Sequence, residues 1–105
     1  VDFNFGEGIG YPIRTSPSAR FSSTIAKAYS ETFYGKKCHF VLGGVSIPIT
    51  SNLARVAGAE VALMGYGLPS DKIHAPNEHF SIKRLKMGFV TIVRLLELLG
   101  RAKTP

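Results

Sequence analysis

The groups able to do chemistry in this chain are few: three histidines, one cysteine and a scatter of hydroxyls and carboxylates. His74 and His79 sit in the stretch His74-Ala75-Pro76-Asn77-Glu78-His79, downstream of a compact apolar run at Glu60–Met64. That run reads as a buried strand, and in open α/β folds ligands gather beyond the carboxyl ends of strands. A neutral imidazole is the commonest metal ligand near pH 7. Pro76 stiffens the loop, Asn77 can bond the backbone, and Glu78 can accept a proton or a hydrogen bond. Zinc needs three or four donors, however, and no other His or Cys stands at a known ligand spacing. Spacing alone therefore leaves His74 open between a metal ligand and an ordinary loop residue. His39 lies inside the apolar run Cys38–Leu42 and reads as a structural strand residue. Ser46, in Gly43-Gly44-Val45-Ser46-Ile47-Pro48, approaches a helix N-terminus whose free N–H groups can hold a carboxylate or phosphate. The pattern is neither a phosphate loop nor a nucleophile elbow, so a tight turn is the plainer reading. Gly65 and Gly67 likewise read as turn residues. Asp71 and Glu78 could form an acid–base pair, but their spacing in a loop is not specific.

The elements that must position these groups follow from apolar spacing and punctuation. Val1–Phe5 alternates apolar and polar, as a half-buried strand does. Ser16 and Pro17 suit a helix start, and Phe21, Ile25, Ala28 and Tyr29 continue at helical spacing. The predicted helix spans Ser16–Tyr34, with Gly35 as its stop. Cys38–Leu42 reads as a second strand. Pro48 begins a short helix through Leu53 and Val56, closed by Gly58. Glu60–Met64 is the next strand, and Gly65 through Asn77 is loop. Ser81 can cap a last helix, Ser81–Leu99, whose apolar positions are Ile82, Leu85, Phe89, Ile92, Val93, Leu96 and Leu99; Gly100 ends it. The order is β-α-β, then α-β-loop-α, with a change of character at Gly43-Gly44. Each half is too small to stand alone.

A chain of 105 residues, 45% of them hydrophobic, is enough for one domain and is not a disordered sequence. The lone Cys38 argues against a disulfide-built secreted domain and suits a reducing, cytoplasmic setting. No apolar run reaches the ~20 residues that span a bilayer, and no targeting signal stands at the N-terminus. The chain is expected to begin in the middle of something larger. The net charge of +6 raises nucleic acid as a partner, yet the basic residues are dispersed, with a mild cluster at Lys83, Arg84 and Lys86. Neither nucleic acid nor membrane is the expected partner.

The block Met64-Gly65-Tyr66-Gly67-Leu68-Pro69-Ser70-Asp71-Lys72-Ile73-His74-Ala75-Pro76-Asn77-Glu78-His79-Phe80, with Arg84, Gly88 and an apolar helix after it, resembles the end of the zinc-dependent peptidases related to carnosinase, aminoacylase and carboxypeptidase G. Ser46-Ile47-Pro48-Ile49-Thr50 after paired glycines resembles a second signature of that family, usually Gly-Gly-Ser-Ile-Pro. Here Val45 separates the glycines from Ser46, and Leu42 and Gly43 replace a usual charged or polar pair. The resemblance runs from about Pro12 to Leu99. It implies an α/β fold: residues 1–42 as the β-α-β end of an inserted lid that often dimerises, and residues 43–105 as the α-β-loop-α return into a dizinc catalytic domain. It implies that His74 is the last zinc ligand, that Gly43, Gly44 and Ser46 contact the substrate's carboxylate or main chain, and that Asn77 and Glu78 support the His74 ring. The other ligands and the general base would lie upstream. The implied parent hydrolyses a peptide or N-acyl amino acid amide with two zinc ions, as a homodimer through the lid, while this chain alone is inert. The alternative is a non-catalytic module that dimerises through an exposed strand edge.

Overall fold

The computed structural model of the chain describes residues 11–43 and 47–102. Its regular elements are α1 (Arg20–Thr32), α2 (Ile49–Ala57), a 3-10 turn at Pro69–Asp71 and α3 (Ile82–Arg101). α1 begins later than Ser16 because Pro17–Ala19 form a lead-in turn. The Ser16 carbonyl accepts the Ala19 N–H at 3.1 Å and the Ser22 hydroxyl at 2.7 Å. Its end follows the expected punctuation: Gly35 takes φ 77° and donates its N–H to the Ser30 carbonyl at 2.8 Å. α2 follows Pro48 and is closed by Gly58 at φ 57°, as its spacing predicts. α3 starts after Ser81 but passes through Gly100 to Arg101, so that glycine is not its stop.

The α/β expectation is overturned. Among the described residues all regular structure is helical, and neither Cys38–Leu42 nor Glu60–Met64 is a strand. The β-α-β reading of residues 1–42 loses its second strand, and its first, Val1–Phe5, lies outside the described residues. The α-β-loop-α reading of the rest loses the strand before the loop. A strand is defined by a ladder of inter-strand hydrogen bonds, and apolar content cannot supply the partner. Residues 60–64 nevertheless lie against the helix pair. Ala62 and Met64 turn toward the core while Leu63 between them is 55% exposed. The Thr15 hydroxyl donates to the Val61 carbonyl and anchors this segment to the residues ahead of α1.

α1 and α3 pack against each other, and α2 packs on neither. Ile25, Ala28 and Leu95 form the buried cluster, with Phe21, Ala62, Met64, Leu98 and Leu99 against it. Thr91, fully buried, bonds the Thr32 hydroxyl across the helix pair at 2.7 Å. Gly88, with no side chain, leaves room for the Tyr66 ring, which stacks with Tyr29 and Phe33 of the α1 end. Gly88, Thr91 and Leu95 thus make the buried seam of α3, offset from the apolar stripe expected to be its core face. Most of that stripe, Ile82, Leu85, Phe89, Ile92, Val93 and Leu96, is exposed, Phe89 at 71%, while its last member, Leu99, packs against the cluster. A helix apolar on two sides is built to be enclosed on two sides.

Global dimensions agree. The Cα radius of gyration is 16.5 Å, against about 13 Å for a compact domain of this length. The accessible surface, 8785 Å², is about half as much again as the ~5,800 Å² of a compact monomer of equal mass.

Candidate functional site

The loop between residue 64 and α3 is shaped by one ion pair. The 3-10 turn buries Asp71, whose carboxylate accepts the Leu68 N–H at 2.8 Å. Arg84, in the first turn of α3, reaches back and donates to both carboxylate oxygens of Asp71. The same guanidinium donates to the Tyr66 carbonyl at 2.9 Å and lies 4.5 Å from the Phe80 ring centroid. The Arg84 hydrogen bonds, followed by the Leu68 N–H, hold the Asp71 carboxyl down at a pKa of about 2. The Asp71 carbonyl accepts the His79 N–H at 3.0 Å and closes the loop. Sequence reasoning missed this clamp. It weighs Asp71 only as half of an unspecific acid–base pair with Glu78, reads Arg84 in a mild basic cluster, and places both in the family block without joining them. The structure keeps Asp71 and Glu78 in separate roles, Asp71 buried in the clamp and Glu78 exposed.

His74 stands on the outside of this loop at φ 60°. Its imidazole is exposed and makes no hydrogen bond among the described residues. His79 is also exposed, but its Nδ1–H donates to the Asn77 carbonyl at 2.9 Å, so the ring is engaged with its own loop. Asn77, at φ 62°, and Glu78 have exposed side chains, and neither is bonded to His74. Gly43 precedes α2 at an exposed position, whereas Gly44 and Ser46 lie outside the described residues. Two surface concavities among the described residues, one beside Ile13 and Ala54 and one beside Phe21 and Leu99, do not include the loop. Burial raises the Cys38 thiol, leaving it a poor thiolate donor.

The chemistry of this donor set is one free imidazole on a fixed loop. No group of three His, Cys, Asp or Glu side chains converges among the described residues. His74 fits the part of a single ligand contributed to a site whose other donors come from elsewhere; it does not make a metal centre by itself. No helix of the described residues is long and apolar enough to cross a membrane.

The model of Peptidase family M20/M25/M40 matches residues 1–98 of the chain. No curated protein and no solved structure matches it. The match covers nearly the whole sequence, including the His74 loop and α3, and the chain belongs to this metallopeptidase family.

Proposed function

We propose that the chain is the C-terminal segment of a dizinc amidohydrolase, in which residues 43–105 complete the catalytic domain, residues 1–42 end the lid, and His74 donates its imidazole to one zinc ion. The observation that carries this reading is the exposed, unbonded His74 ring, held on a clamped loop inside a metallopeptidase family match. When bound, the metal pair polarises the amide carbonyl and acidifies water. The chain's own part is narrower. His74 supplies a ring nitrogen lone pair from the clamped loop. Gly43, Gly44 and Ser46 precede α2 in sequence and would contact the carboxylate or main chain of a peptide or N-acyl amino acid substrate. Asn77 and Glu78 follow His74 on the same loop and would support its ring in the assembled site.

The uncovered stripe on α3 and the large surface support the view that other parts of a catalytic domain close over this segment. The upstream portion brings the remaining ligands and the general base, so the 105 residues alone are inert. A second reading, a module that pairs with another copy, is favoured by the exposed apolar run at 40–42, where Val41 is 84% and Leu42 87% exposed. In the first reading the same run belongs to a lid that forms a homodimer. Assaying the intact gene product against dipeptides and N-acyl amino acids, with and without a chelator, separates the two. Chelator-sensitive hydrolysis supports the enzyme, and its absence from a zinc-loaded, folded protein contradicts it.

A further inference from the structure

The clamp ties together points on both sides of His74. Arg84 holds the Tyr66 carbonyl and the Asp71 carboxylate, while Asp71 itself holds Leu68 on one side and His79 on the other. Between these ties, residues 72–78 have one internal backbone hydrogen bond, Ala75 N–H to the Lys72 carbonyl at 2.9 Å. Yet three non-glycine residues there adopt left-handed backbone: Lys72 at φ 54°, His74 at 60° and Asn77 at 62°. Asn and His are several-fold enriched among the non-glycine residues that adopt that region, whereas Lys is disfavoured in it. A loop that turns through three such residues with one internal backbone bond needs an outside restraint, and Asp71 supplies it: its carbonyl holds His79 at the far end while its carboxylate is fixed by Arg84.

Arg84 also stands where its own helix does not favour it. It is in the first turn of α3, which carries no acidic residue there. A cation at a helix N-terminus opposes the helix dipole, so the position is unfavourable for the helix itself. The planar guanidinium fork is suited to two carboxylate oxygens and a carbonyl at once, which the point charge of a lysine is not.

We propose that Asp71 and Arg84 are positioning residues for the metal site: their bridge holds the 72–78 loop in its left-handed conformation and so presents the His74 imidazole pre-organised for a metal ion. The inference rests on the reading of His74 as a zinc ligand. Neither Asp71 nor Arg84 touches the metal or the substrate; both act through the backbone of the loop.

The test uses the intact gene product, with Arg84→Met, Arg84→Lys, Asp71→Asn, Lys72→Gly and the double variant Arg84→Met/Lys72→Gly. Zinc affinity is read by competition with a chromophoric chelator, and loop closure by exchange of the His79 amide in the metal-free protein. Arg84→Met is expected to weaken one zinc by ~10–100-fold, the range for supporting partners of metal ligands, and to speed His79 exchange. Arg84→Lys keeps the charge but loses the fork, and recovers only part of the affinity. Lys72→Gly removes one disfavoured left-handed residue, because glycine adopts that backbone freely. Added to Arg84→Met, it is expected to restore zinc affinity several-fold, which a residue needed merely for folding would not permit. Should Arg84→Met not fold, Asp71→Asn keeps the shape of the buried side chain, and weakened zinc binding is expected there too. Unchanged zinc affinity in either folded variant, or no recovery in the double variant, overturns the inference. His74→Ala keeps the two claims apart. Loss of one zinc in that variant, with normal affinity when the clamp is broken, defeats the positioning role alone; no loss defeats the ligand assignment first.

Discussion

Replacing Gly88 by alanine sets two opposed effects against each other at the α1–α3 seam. A glycine in a helix interior is less favourable than alanine by about 1 kcal/mol, so the substitution would stabilise an isolated helix by that much. In this structure the new Cβ falls 3.2 Å from both Cδ2 and Cε2 of Tyr66 and 3.4 Å from its Cγ. Carbon pairs prefer about 3.5–4.0 Å, so the ring must retreat by a few tenths of an ångström. Tyr66 is restrained on its other sides by near-parallel rings, Tyr29 at 6.1 Å and Phe33 at 6.2 Å between centroids. Its hydroxyl is buried, and burial pushes its pKa up. Overpacking of this kind typically costs about 1–3 kcal/mol, which outweighs the propensity gain. The expected net effect is up to about 2 kcal/mol of destabilisation, or up to about thirty-fold faster exchange of the protected amides in α1 and α3. Gly100→Ala is the internal control. No atom lies within 4 Å of its added Cβ, so it should slow exchange in the last turn of α3 by up to about five-fold. Amide exchange followed by mass spectrometry on the two variants gives both values. Equal slowing in both would show that Tyr66 does not pack on Gly88, and the account of the seam would fall.

Three further outcomes follow from the same geometry. Leu95→Ala, at a side chain only 6% exposed in the α1–α3 cluster, should destabilise the helix pair by about 2–5 kcal/mol, while Leu96→Ala on the uncovered stripe should change the isolated chain by well under 1 kcal/mol; urea titrations followed by helical circular dichroism compare them. Gly58→Ala, at φ 57° with open space around it, should shorten α2 at a cost of about 1–2 kcal/mol through backbone strain alone, read as lost helical signal. The Asp71 carboxyl is held down at about 2, below its unfolded value near 3.9, so its contribution to loop stability is complete above pH 5 and is lost as pH falls toward 2. Protection of the His79 amide in the metal-free protein should therefore survive to about pH 3 and collapse below it; collapse already at pH 5 would show that the Asp71–Arg84 bridge does not set the loop.

The helices were legible because their signals are local. Pro48 and Gly58 bracket α2, Gly35 closes the chain after α1, and Ser81 opens α3. The strands were not, because a strand is a relation between segments and the described residues offer 60–64 no neighbour to pair with. The core was half legible. Periodicity picks out the apolar stripe from Ile82 to Leu99 of α3, whose end at Leu99 does pack on the cluster, but the buried seam is marked by Gly88 and Thr91, whose small size and hydroxyl suit close helix contact and carry no hydropathy signal. His74 was legible from the block around it. The clamp was not, since Asp71 and Arg84 lie on different elements and nothing in their spacing announces a pair. An arginine in a helix first turn with no acidic neighbour there is the one cue that the sequence offered.

The central claim is that His74 holds a zinc ion in the assembled enzyme, and the most direct measurement is anomalous diffraction at the zinc edge from crystals of the intact gene product. The account predicts an anomalous peak about 2.0–2.1 Å from a His74 ring nitrogen, with a second zinc nearby and the stripe from Ile82 to Leu96 covered by the rest of the protein. Zinc peaks coordinated without His74, or ligated by His79 in its place, would contradict it.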